Sequence, residues 1–322
     1  MKDLDYAYAN ARIRANETYM VTNSELPSLI SCETYQDAIS FLSKKNWIKS
    51  ESTDVKDIIS AQSEYVWTLL HECVPYKDSL KILTASNDFF NLKTAIKCLF
   101  TELDPFKFYV YPTSIDLDLL TKKVKVHEFD FLQGKMGEAL ANAYDVAVKT
   151  QNGQSAEVII DKASIDFISE AANKTNCKLT KEISNLLCAI ANIKTAIRCA
   201  RTNKTIDFIE MAIGKCETLN IKRLSLAAAQ SPQEVFDYLK TTKYAQAVNL
   251  LEQSTTAFEK WCDDEIITLA KSSKYTSFGF APVCAFFYAK QMEIKTVRMI
   301  LMAKTTGISE SEIRERVRTL YE

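Results

Sequence analysis

The sequence predicts an all-α protein built from three copies of one helical module. Three observations carry that expectation: an eight-residue motif that returns at a constant spacing, apolar residues that recur every three or four positions around it, and a scarcity of turn-forming residues. Asn91-Leu92-Lys93-Thr94-Ala95-Ile96-Lys97-Cys98 reappears as Asn192-Ile193-Lys194-Thr195-Ala196-Ile197-Arg198-Cys199, and again as Glu293-Ile294-Lys295-Thr296-Val297-Arg298. Lys93 to Lys194 and Lys194 to Lys295 are each 101 residues apart, so the period is that of a whole helical module. In the middle copy Ile183, Leu186, Leu187, Ile190, Ile193, Ile197 and Ala200 mark one face of a helix. Phe89, Leu92, Ile96 and Leu99 do so in the first copy, and Val283, Phe287, Ile294, Val297 and Leu301 in the third. Only six glycines and six prolines punctuate 322 residues, which favours long helices with short connections.

A second marker repeats as well. Gln36-Asp37-Ala38-Ile39-Ser40-Phe41-Leu42 with Trp47 matches Gln233-Glu234-Val235-Phe236-Asp237-Tyr238-Leu239 with Tyr244, and a blurred middle copy falls around Leu140 and Tyr144. Ser114-Ile115-Asp116 and Thr205-Ile206-Asp207 both read as helix N-caps with acidic first turns. The sequence continues 27 residues past Lys295, and the same offset from the other two lysines divides it into modules at 21–120, 121–221 and 222–322, preceded by an added helix over 1–20. Near the end, Gly307 closes one helix and Ser309 with Glu312 forms a capping box for another over 309–320. Phe106 to Tyr111, between Pro105 and Pro112, is the one strand-like stretch. Three modules in a row can form an open arc or close around a pseudo-threefold axis; the period fits both.

Composition excludes several functions. The 40 basic and 41 acidic residues nearly cancel, so no global charge points to nucleic acid or an anionic membrane. The longest apolar run, Phe280 to Ala289, spans ten residues and contains Pro282, far short of the ~20 that cross a bilayer. The N-terminus lacks the basic-then-apolar layout of a secretory signal, and nine scattered cysteines point to a reducing cytoplasm. His71 and His127 are the only histidines and no Cys-x-x-Cys occurs, which argues against a metal site. Gly134-Lys135-Met136-Gly137 lacks the spacing of a phosphate loop and reads as helix-packing glycine. No nucleophile elbow is present, and Asp263-Asp264-Glu265 reads as a solvated helix face rather than an acid–base pair. Tyr6, Tyr8, Arg12, Arg14 and Tyr19 mix aromatic and basic side chains as some RNA readers do, but an amphipathic packing helix with snorkelling bases accounts for them better. No catalytic residue and no cofactor is expected.

The segment Tyr6-Ala7-Tyr8-Ala9-Asn10-Ala11-Arg12-Ile13-Arg14-Ala15-Asn16-Glu17 resembles the opening of the V/A-type rotary ATPase component called C in prokaryotes and d in eukaryotic vacuolar enzymes. Leu239-Lys240-Thr241-Thr242-Lys243-Tyr244, Lys274 to Gly279 with Pro282-Val283, and the stretch from Glu293 through Arg298-Met299-Ile300-Leu301 to Gly307 and Glu312-Ile313-Arg314-Glu315-Arg316 are similar to it too, in the same order and over nearly the full length. The resemblance implies a funnel of three modules around a pseudo-threefold axis. It implies a non-catalytic adaptor on the cytoplasmic face of a membrane, seated on the proteolipid ring and receiving the rotor shaft made of the D and F subunits. The alternative is an unrelated helical scaffold that binds proteins through a concave surface. Lys93, Lys194 and Lys295, with Arg298, are the candidate partner-binding residues: as equivalent positions at the edges of the apolar stripes they point either inward, as a basic ring for acidic groups of the shaft, or outward into water.

Overall fold

The computed structural model describes residues 2–151 and 153–322, and among these it contains sixteen α-helices and no strand. In chain order the first are α1 (Ala7–Glu17), α2 (Leu26–Ile30), α3 (Tyr35–Lys44), α4 (Val55–Cys73), α5 (Lys81–Thr101) and α6 (Leu117–Lys125). Next come α7 (Lys135–Thr150), α8 (Gly153–Lys174), α9 (Lys178–Arg201), α10 (Ile206–Ala212) and α11 (Ile221–Gln230). The last are α12 (Pro232–Lys240), α13 (Ala245–Gln253), α14 (Thr255–Lys271), α15 (Ala281–Thr306) and α16 (Glu310–Arg316). Two compact units form, one from Met1–Lys77, Cys177–Ile183 and Asn249–Glu322, the other from Asp78–Asn176 and Ser184–Val248.

In the first unit α15 is the hub, with α1, α3, α4, α14 and α16 packed on it. Sixteen of its residues are buried, among them Val283, Phe286, Phe287, Val297 and Leu301, so it is covered nearly all round rather than along one stripe. Gly307 caps its C-terminus at φ +70°, a backbone that side-chain-bearing residues rarely adopt. The second unit packs α5 and α7 along α8 over a core of Phe89, Leu92, Ile96, Leu120, Leu140 and Ile160. Gly137 belongs to that packing: a Cβ there would lie 2.1 Å from the Leu132 carbonyl oxygen, so the chain passes too close for any side chain.

The three motif lysines lie on α5, α9 and α15, each a helix of more than twenty residues, and the motif residue two places earlier shows why the sequence repeats. Asn91 is fully buried and holds Val110 at two points, donating to its carbonyl at 3.0 Å and accepting from its amide at 2.9 Å. Asn192 grips Gly214 in the same way, at 3.0 and 2.9 Å. Six residues beyond each gripped residue a side chain caps the next helix, Asp116 on α6 and Asn220 on α11. The third copy has Glu293 in place of asparagine; its carboxylate, also fully buried, accepts from the Val21 amide at 2.5 Å and from Lys290 Nζ at 2.6 Å. Gln62 completes this shell, its amide accepting from Lys290 at 3.2 Å and donating to the Trp47 carbonyl at 3.0 Å.

A clamp of this kind satisfies both polar groups of one residue's backbone, and removing it strands them. Asn192→Ala is expected to lower the unfolding free energy by about 2–3 kcal/mol, read from the urea midpoint at unchanged m-value. A loss under ~0.5 kcal/mol would mean that water replaces the amide.

Four sequence expectations change. The first expected N-cap lies at Asp116 rather than Ser114, because Ser114 is drawn to the buried Asp88, which accepts from its amide at 2.8 Å and from its hydroxyl at 2.6 Å. Phe106 to Tyr111 forms no strand: Pro105–Lys107 makes a 3-10 turn capped by Asp104. The last helix ends at Arg316 rather than continuing to 320, because Asp264 accepts from the Thr319 amide and Asn23 grips Leu320 at both its amide and carbonyl, each at 3.0 Å. Asp263 is no solvated residue: it is 9% exposed and paired with Lys295 and Arg318. The capping box of Ser309 and Glu312 forms as read, and so does the matched pair α3 and α12, capped by Thr34 and Ser231 and followed by buried Trp47 and Tyr244.

A charged strut ties α8 to neighbouring segments of the second unit. Lys135 and Lys215 both donate to Glu170, and these hydrogen bonds hold its carboxyl down to about 2 from 4.5. A depressed folded-state value contributes stability above the unfolded value and loses it as the pH falls from 4.5 toward 2. The stability gap between the parent and Glu170→Gln should therefore be largest at neutral pH and shrink below about pH 4, as urea midpoints at about pH 7 and pH 3 will test.

Candidate functional site

The candidate partner-binding residues divide between the two units. Lys93, in the middle of α5, is mostly covered and paired with Asp161 of α8 at 2.7 Å, with the Phe90 ring 5.6 Å from its ammonium. Lys194 is exposed on α9 between buried Ile193 and Thr195. Lys295 is exposed on α15 and paired at 2.5 Å with Asp263, which also accepts from Arg318 Nε at 2.9 Å. Arg298 is exposed one turn further on. All four stand at the edge of buried stripes, as the periodicity requires. What periodicity does not reveal is that Lys93 and Lys295 reach carboxylates on an adjacent helix.

Two stretches far apart in sequence interlock in the first unit. The Asn10 amide on α1 donates to the Ser277 and Gly279 carbonyls, both at 3.2 Å. Arg14 donates to the Ser273 and Thr276 carbonyls at 3.1 and 2.9 Å and pairs with Glu17 at 2.7 Å. Burial of Glu17 raises its carboxyl, and the Arg14 guanidinium opposes that shift. The Gly279 amide closes the loop onto the Asp3 carbonyl at 3.1 Å. Four carbonyls of 273–279 are thus held by one helix, and the loop presents Tyr275, 90% exposed, together with Phe278. Tyr6 is buried against Tyr76 and Phe280 and Arg14 holds the loop, so these two build packing, whereas Tyr8, Arg12 and Tyr19 stand exposed.

The second unit carries a groove of about 810 Å³ between α5, α7 and α8. Ile96, Ala147, Ala156 and Ile160 form its floor, Lys93 and Lys97 one wall, and Phe100 and Val148 stand half exposed in it. Lys97 pairs with Glu157 at 3.0 Å, one turn from the Lys93–Asp161 pair, so the groove is edged by a two-rung ion ladder. Such pairs are each worth ~0–1 kcal/mol and exchange readily with charges of a partner.

Among the described residues no group of three His, Cys, Asp or Glu side chains is placed to hold a metal, and no helix is long and apolar enough to cross a membrane. His71 meets Trp67 edge-on at 4.7 Å and His127 lies against Tyr144 at 4.6 Å, so both rings are engaged in packing. Sequence reasoning missed the exposed aromatic side chains of 100–111; the two prolines bracketing a run of Phe and Tyr were their signal.

Comparison with known proteins sets this geometry among relatives. The family model described as ATP synthase (C/AC39) subunit matches residues 9–316. The C subunit of the V-type sodium ATPase of Enterococcus hirae is 19% identical, over 99% of this chain and all of its own. The C subunit of the A-type ATP synthase of Methanocaldococcus jannaschii is 23% identical over 96% of this chain and 85% of its own. Its counterpart in the A-type ATP synthase of Methanosphaera stadtmanae is 20% identical over 98% and 88%.

Proposed function

The chain belongs to the ATP synthase (C/AC39) subunit family, and from that premise we propose that it is the non-catalytic rotor adaptor of a V/A-type ATPase. In this reading it sits on the cytoplasmic face of the membrane, rests on the proteolipid ring, receives the shaft of D and F subunits, and passes torque between them. The observation that carries the reading is end-to-end similarity to the C subunits of such enzymes, over 96% or more of this chain. A torque coupler must be stiff, and buried two-point clamps between helices and the segments that follow them supply stiffness.

The reading includes three modules, 21–120, 121–221 and 222–322, around a pseudo-threefold axis, with 1–20 as an extension. The recurrence of a buried polar clamp at Asn91, Asn192 and Glu293, 101 residues apart each time, supports it. Purification of the tagged chain from gently solubilised membranes tests the assignment: D, F and the proteolipid should co-purify. Recovery of the chain without any other rotary ATPase component would overturn it.

Lys93, Lys194, Lys295 and Arg298 are assigned to the shaft contact. Their charges act mainly on association rate and salt dependence, each pair contributing ~0–1 kcal/mol. Replacing the three lysines by glutamine should weaken binding of the D–F shaft and flatten its dependence on salt, with the melting temperature little changed. Unchanged affinity and an unchanged salt slope would make the lysines structural.

A further inference from the structure

We propose that the socket at the C-terminal end of α5 docks a helical segment of a partner protein in which a bulky apolar side chain lies next to lysine or arginine. The socket, about 510 Å³, opens beside the 3-10 turn Pro105–Lys107. Leu99, Leu103, Phe106, Tyr109 and Val124 supply its apolar lining. Leu103 and Phe106 are about half exposed, at 54% and 45%, and Phe108 and Tyr111 continue the same apolar tip. A cluster of this kind exposed to water is costly unless something covers it.

The fold does not demand it. The equivalent connection after the second clamp, between Asn192 and Gly214, performs the same structural task with Asn203, Lys204, Thr205 and Asp207 on its surface, and it exposes no large apolar side chain. The apolar tip is therefore specific to one of two connections that end in the same two-point clamp, as a contact with a partner would require.

Charge selects the partner. Glu102 and Asp104, both exposed, line the socket against one base, Lys125. Burial raises the Cys98 thiol and lifts the Tyr109 phenol to about 12, and the negative charge of Asp104 adds a smaller push to both. An anionic bilayer would be repelled by two carboxylates beside the apolar tip, whereas a lysine or arginine flanking an apolar knob would meet them.

A labelled leucine–lysine amphipathic helix, its leucine–glutamate counterpart, and phosphatidylserine vesicles are the probes, titrated against the full chain. The leucine–lysine helix should bind with an affinity that falls as salt rises. Leu103→Ser should weaken it about tenfold, as should the pair Glu102→Gln and Asp104→Asn, which keeps the cap on Phe106. Both variants should melt with the parent, because the altered side chains are exposed. Equal binding of the leucine–glutamate helix, parental affinity in both variants, or binding confined to vesicles would each overturn the proposal. Membrane co-purification tests the rotor assignment separately, so either can fail without the other.

Discussion

Glu293→Ala is expected to destabilise the chain by about 3–5 kcal/mol, because it leaves Lys290 charged and buried with no counter-ion. Lys290 is 3% exposed and Glu293 is not exposed at all, so water cannot reach either group to compensate. The variant also strands the Val21 amide, whose acceptor is this carboxylate at 2.5 Å. A typical domain has about 5–15 kcal/mol in total, so the variant would be marginal at physiological temperature. The double variant Lys290→Met with Glu293→Leu removes both charges together and should recover part of the loss, keeping a cost of about 1–3 kcal/mol for the stranded amide. Denaturation midpoints of the two variants decide the matter. If the single variant loses no more than the double one, the pair carries no coupling and the buried charges are not the cause.

The pair Leu320→Ala and Tyr321→Ala should cost still more, about 5–8 kcal/mol in sum, if each follows the usual penalty for emptying a core position. Both side chains are 2% exposed although they follow the last helix in an extended segment. That segment is anchored by Asn23 on Leu320, by Asp264 on Thr319 and by Asp263 on Arg318. Thermal melting of each single variant and of the double gives the sum directly. Single losses below ~1 kcal/mol would show that the segment frays in solution and that the buried positions are not held.

These buried features differ in how far the sequence shows them. The helix over 281–306 is visible from its apolar spacing and its closing glycine, yet the spacing marks a single stripe where nearly the whole circumference is buried. Lys290 and Glu293 are the reason: charged residues inside a helix normally mark a solvent face, and only their mutual pairing allows them inward. Asp263 misleads in the same way, since an acidic triplet looks exposed until Lys295 and Arg318 are found around its carboxylate. Composition carries the final helix four residues too far because Arg316 to Leu320 is ordinary helical sequence; its backbone is claimed instead by side chains from residues 23 and 264, while Asp263 holds the Arg318 side chain. The candidate lysines lie on their helices as the periodicity places them, but Asp161 and Asp263 lie on other helices and carry no mark in the sequence of the role they play.

The sequence by itself determined the helical class, the 101-residue period, the caps at Thr205, Gly307 and Ser309, and the family. All of these are written in spacings of a few residues or in a period that can be counted along the chain. Only the tertiary structure decided how the buried polar groups are satisfied: asparagine to a backbone unit about twenty residues on in two copies, and a glutamate–lysine pair reaching back to Val21 in the third. The physical reason is that a helix prescribes its own hydrogen bonds, while a side chain that leaves the helix takes whichever partner packing brings within about 3 Å. Between Glu293 and Val21 that partner lies 272 residues away.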